Sequence, residues 1–289
     1  MLKYIGETGS HARQACKEDL QLISAKALDY CNSTSGLRIG TLPEIRFTTD
    51  LEGEVPRPGW LPGWCISDRE RFNYSAVYLT YAKKILINDR NISKNWAEND
   101  IERRVCHELV HYIRDINGLS GGVDIVPKNP AEHRLIRVFE SLEESGPLFT
   151  EGVFMMDGNT PIGDVIRSLY NYKKDAKIPL ETLRETYEIV STADMLSTGN
   201  RFEDNLFNVI GFYGMDRRLN ANDCYHFAGL NFAVLIYASN NFDLQKTAKK
   251  LITYSYGGLV QELKEAVRPD VKAAAAEISR IGLQDKRSS

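Results

Sequence analysis

The strongest constraint on the fold of this chain is the helical spacing of its apolar residues from about Asn95 onward. Ile101, Val105, Leu109, Val110, Tyr112 and Ile113 mark one apolar face that runs to about Ile116, where Gly118, Gly121 and Gly122 break it. Helical patterns then recur over 131–144, 147–156, 162–172, 180–196, 223–238, 243–254 and 259–281, and the tail over 284–289 is polar. Upstream the periods are mixed. Residues 11–30 carry Ala15, Leu20, Leu22, Ile23, Ala27 and Leu28 at helical spacing, which predicts an amphipathic helix. Residues 37–49 contain Ile39, Ile45 and Phe47 and predict one or two strands broken at Pro43. The β-branched and aromatic runs 74–81 and 84–88 predict a hairpin, whereas the doubled Pro-Gly-Trp between Pro56 and Trp64 predicts a loop. The expected fold is therefore α+β. A small mixed-sheet lobe spans 1–117 and includes the helix around His107; a mainly helical lobe spans 118–289, with a cleft between the two.

A hydrophobic fraction of 43% over 289 residues is enough for a sizeable core. The formal charge of −3 gives no electrostatic case for nucleic acid or an anionic membrane. The first residues turn polar too soon for a secretory signal, and no apolar run approaches the roughly 18 residues of a membrane span. A cytoplasmic protein is expected, with no nucleic-acid or membrane partner. Cys16, Cys31, Cys65, Cys106 and Cys224 are odd in number and widely spaced, which argues for thiols rather than a disulfide framework or a thiolate zinc site.

The chemistry concentrates in His107-Glu108-Leu109-Val110-His111. Four residues separate the histidines, so the imidazoles sit one helical turn apart and about 40° apart around the axis. Two nitrogens can thus meet one tetrahedral zinc at about 2.0–2.1 Å. Glu108, next to the first histidine, is placed to take a proton from a metal-activated water. A catalytic zinc needs a third protein ligand and an open position. His133 is one option, in a polar helix start. Glu140, Glu143 and Glu144 fall mainly on the solvated side of a helix whose apolar stripe is Leu135, Val138, Phe139 and Leu142, although Glu140 and Glu144 border that stripe. Glu151 lies in an apolar segment that Pro147 can start, where a buried carboxylate needs a partner and zinc supplies one. Glu151 is therefore the expected third ligand.

These motifs resemble the gluzincin class of zinc peptidases, in which His-Glu-x-x-His is followed some tens of residues later by a glutamate on a second helix. Here Thr150-Glu151-Gly152 stands 151 − 111 = 40 residues on, similar to collagenase-like and aminopeptidase-like gluzincins. Tyr225-His226-Phe227-Ala228-Gly229 is similar to a downstream Tyr-x-x-Ala-Gly helix of such proteins. The likeness covers about 74–255. It implies one Zn2+ per chain, a peptide or protein substrate, and Tyr225 as the group that stabilises the reaction's oxyanion, with His226 as the alternative. It also implies that the strand at 74–81 is a sheet edge beside the cleft, with the His107 helix behind it. Two other expectations stay open: a gluzincin-like domain kept as a binding or structural component, and a zinc hydrolase of a non-peptide amide or ester.

Overall fold

The computed structural model describes residues 10–54, 76–88, 98–120, 129–171, 181–195, 202–215 and 221–284. The Pro-Gly-Trp loop, Cys65 and the tail beyond Gln284 lie outside the described residues, as do the side chains of Cys16 and His133. In chain order the elements are α1 (Ser10–Ser35), β1 (Glu44–Thr48), α2 (Leu51–Glu54), β2 (Ala76–Leu79), β3 (Lys84–Asn88), α3 (Glu98–Ile116) and α4 (Pro130–Gly152). They continue as α5 (Ile162–Asn171), α6 (Glu181–Met195), α7 (Phe202–Gly214), α8 (Ala221–Ser239), α9 (Leu244–Thr253), α10 (Tyr256–Ala266) and α11 (Pro269–Gln284). The molecule is mixed α+β, mostly helical, with one small mixed sheet.

The sheet order is β1-β3-β2. β1 runs parallel to β3 with Ile45 opposite Ile85, and β2 runs antiparallel to β3 with Ala76 opposite Ile87. The central strand is buried on both faces, which is why it reads as the continuous apolar run Ile85-Leu86-Ile87. Ile85 and Ile87 pack with Ala27 of α1 and with Val105, Leu109, Val110 and Ile113 of α3, whereas Leu86 packs with Leu51 and Leu79 on the opposite face. Phe154 and Ile252 join the α1–sheet–α3 core from later in the chain. A second, larger core is helical and centres on α8, whose residues Phe232–Tyr237 are buried without interruption. A helix that is apolar all round belongs inside. Among the described residues, no helix is long and apolar enough to cross a membrane.

α4 is the hinge between the two cores and departs from the sequence expectation. Two helices are predicted, over 131–144 and 147–156; the structure has a single helix with Pro147 inside it. Proline removes one helical hydrogen bond, so such a helix must be held by packing. Here Leu142, Leu148 and Phe149 are buried, and Gly146 lies so close to α9 that a Cβ would stand 2.8 Å from the Leu251 carbonyl oxygen. At its start, the Asn129 side chain accepts from Glu132 N at 2.9 Å, and Pro130 occupies the first turn. The continuity matters for function. It places Glu144 and Glu151 seven residues apart on one helix, hence on one face and about 10 Å apart along the axis.

Candidate metal centre

α3 brings His107 and His111 side by side, with ring centroids 5.1 Å apart. Glu144 of α4 reaches both. Its Oε2 lies 3.3 Å from Nε2 of His107 and its Oε1 lies 3.4 Å from Nε2 of His111. The ligand-capable atoms of His107, His111 and Glu144 all fall within 4.8 Å of one another. Bonds of about 2.0–2.1 Å to a tetrahedral ion put neighbouring donors about 3.3 Å apart, and each Nε2 stands about that far from one of the two Glu144 oxygens. Glu144 Oε2 is buried and makes no hydrogen bond. Imidazole nitrogens stand near it, but not aligned to donate. Two imidazoles and a carboxylate can hold a metal ion, and an N2O donor set of this kind suits zinc.

Glu151, the ligand expected from sequence, is placed elsewhere. It is fully buried, and its Oε2 meets Nδ1 of His107 at 2.5 Å, on the ring edge away from Glu144. Its Oε1 lies 3.4 Å from a guanidinium nitrogen of Arg104. Both carboxylates are on the α4 face that looks at α3, and the contact register between the helices decides which one meets the Nε2 side. Glu151 takes the outer position, in which a carboxylate accepts from the remaining ring nitrogen and fixes the imidazole's orientation. Glu151 is buried as expected, and the groups it meets are His107 and Arg104.

Glu143 and Glu144 were expected on a solvated side. α3 and α8 cover most of that turn of α4, so that Glu143 is buried and Glu144 only slightly exposed. Gly229 of α8 makes the close approach. A Cβ there would lie 2.4 Å from the Ser141 carbonyl oxygen and 3.3 Å from Cβ of Glu144. Glu143 forms a two-pronged pair with Arg114 of α3, at 3.0 and 2.7 Å. Arg114, fully buried, also donates to the carbonyls of Leu251, Ile252 and Tyr254 at 2.8, 3.3 and 2.9 Å. Those carbonyls form the negative end of α9, a favourable place for a cation. α3, α4 and α9 are thereby fixed to one another beside the centre.

The electrostatics follow from burial and charge. Burial alone would lower the pKa of His107, but Glu151 and Glu144 outweigh it and lift it to about 10. Burial would raise Glu144, yet His226, His111 and His107 hold its carboxyl well below the usual range. Glu108 is buried beside the pair; burial pushes its carboxyl up, opposed by His107 and His111. A base with a raised pKa is better matched to proton transfer near neutrality. Behind the helix, Cys106 and Cys31 are buried free thiols with sulfurs 3.7 Å apart, and burial raises Cys106 well above the ordinary thiol value.

Of the two candidates on α8, His226 is the one at the centre. Its Nε2 lies 3.3 Å from Glu144 Oε2, although it does not join the three mutually close ligand groups. Tyr225 packs its ring 4.9 Å from that of His226, and the guanidinium of Arg137 lies over it at 5.6 Å. The sequence offers Glu144 among the candidate ligands but favours Glu151, and it does not reveal the contacts of Arg104 or of the Arg114–Glu143 pair. The available signal was the seven-residue spacing of Glu144 and Glu151, which puts both on one face once α4 is continuous. No protein-family model matches this chain, and neither does any curated protein or solved structure.

Proposed function

We propose that the chain is a zinc-dependent peptidase of gluzincin-like, zincin-type layout. His107, His111 and Glu144 would hold one ion per chain, the glutamate standing 144 − 111 = 33 residues after the motif. The observation that supports this reading is the Glu144 carboxylate, whose two oxygens lie 3.3 and 3.4 Å from Nε2 of His107 and of His111, one of them buried and satisfied by no hydrogen bond. Zinc in such a site supplies Lewis acidity and a hydrolytic water at neutral pH.

The residues divide the remaining work. Glu108 takes a proton from the attacking water as the C–O bond forms. It then gives that proton to the amine as the C–N bond breaks. His226, whose Nε2 lies 3.3 Å from Glu144, would donate to the substrate oxygen where negative charge develops, and preorganised donors of that kind are worth roughly 3–4 kcal/mol. Tyr225 supports His226 through ring packing. Among the described residues β2 has a strand neighbour on one side only, so its outer edge can pair with an extended peptide. Tyr78 of β2 donates to Asp115 of α3 at 2.5 Å, which ties that edge to the motif helix.

Metal analysis of the purified full chain should give one zinc per chain. Glu108→Gln should lower hydrolysis of a peptide library about 10²–10⁴-fold with zinc still bound. A chain unable to take up zinc, or one whose hydrolysis survives Glu108→Gln, overturns the assignment.

A further inference from the structure

We propose that Arg104 is a positioning residue for the metal centre. Its positive charge, 3.4 Å from Oε1 of Glu151, holds that oxygen on the Arg104 side, so that Oε2 faces Nδ1 of His107 and the carboxylate stays away from the ion. This inference rests on the peptidase reading above.

Three observations carry it. First, α3 supplies both partners of Glu151. Arg104 and His107 are one helical turn apart, on the same side of the helix, so guanidinium and imidazole together span the two oxygens of a single carboxylate. Second, Glu151 shares its helix face with Glu144 and is fully buried. A carboxylate in that place with no cation beside its second oxygen is a competing ligand for the ion or an unsteady support for His107; Arg104, 3.4 Å from Oε1, supplies that charge as an ion pair rather than as a hydrogen bond. Third, the charges close. Glu108, Glu144 and Glu151 bring −3, a divalent ion +2 and Arg104 +1, for a sum of zero. Without the guanidinium the centre carries a net negative charge inside the protein, which low-dielectric surroundings disfavour. The Arg104 side chain is 25% exposed, so its head can be replaced without emptying the core.

The experiment measures zinc affinity of the full chain by competition with a chromophoric chelator, for the native protein and for Arg104→Met, Arg104→Lys, Glu151→Gln and the Arg104→Met/Glu151→Gln double variant. Loss of a carboxylate that orients a ligand histidine typically lowers metal affinity about 10- to 100-fold. Arg104→Met should fall in that range, Arg104→Lys should recover most of the loss, and the double variant should be no worse than Glu151→Gln alone. Residues acting through one another are non-additive in this way. If Arg104→Met does not fold, Arg104→Gln, a donor without the charge, serves in its place. Native affinity in the charge-removed variant, or losses that multiply in the double variant, overturns the role of Arg104 and leaves the peptidase reading standing. A native chain that binds no zinc overturns both.

Discussion

Two adjacent carboxylates on one turn of α4 face the same helix and do opposite things. Glu143 is complete: both its oxygens are bonded to Arg114, and Arg114 spends its remaining donors on the carbonyl end of α9. Glu144 is incomplete: it stands among three imidazoles at 3.3–3.4 Å, and one buried oxygen has no hydrogen bond. Glu143 is buried, and so is one oxygen of Glu144. What separates them is whether the surrounding donors satisfy the charge, and a buried charge left short of partners is where a ligand belongs. The complete pair holds the helices in register so that the incomplete group keeps its geometry.

That contrast can be broken at either end. Arg114→Met should be the most damaging change, costing about 3–5 kcal/mol of stability because Glu143 is left buried without its cation. Urea unfolding of the metal-free chain measures it, and a cost below 1 kcal/mol would show that Glu143 is not held by that pair. Zinc should act on the other carboxylate alone. At a free concentration 100 times its Kd it should stabilise the native chain by about 2.7 kcal/mol and leave Glu144→Ala essentially unmoved. Calorimetric scans with and without the ion test this, and equal shifts in both proteins would remove Glu144 from the ligand set. Gly229→Ala should cost about 1–3 kcal/mol by forcing α8 off the Glu144 turn. It should weaken zinc binding as well, whereas a purely packing defect would leave the affinity alone. Exposed charge gives the lower reference. Arg167 pairs with Asp164 at the surface of α5, and Arg167→Met should change stability by less than about 1 kcal/mol.

How much was legible in advance follows the range of the interactions. The sheet strands and most helices were readable because periodicity is local. The break at Pro147 was read wrongly, because tertiary packing on both sides of α4 overrides a proline that would end an exposed helix. The same error hid the centre. With 131–144 and 147–156 taken as separate helices, Glu144 looked half-solvated and Glu151 looked like the one buried carboxylate. Arg104 carries no signal of its own in the sequence; in the fold it is a partner of Glu151.

By itself the sequence determined that His107, Glu108 and His111 share one helical turn, since a spacing of four residues fixes side-chain directions whatever the rest of the chain does. It also led to the expectation that Glu151 is buried, from its apolar surroundings. Which carboxylate meets which ring nitrogen was decided only by the tertiary structure. Glu144 and Glu151 lie on one face, and their local sequence favours the wrong one for the Nε2 side. The sliding position of α4 along α3, set by the Arg114–Glu143 pair and by the close approaches at Gly146 and Gly229, puts Glu144 at Nε2 and Glu151 at Nδ1.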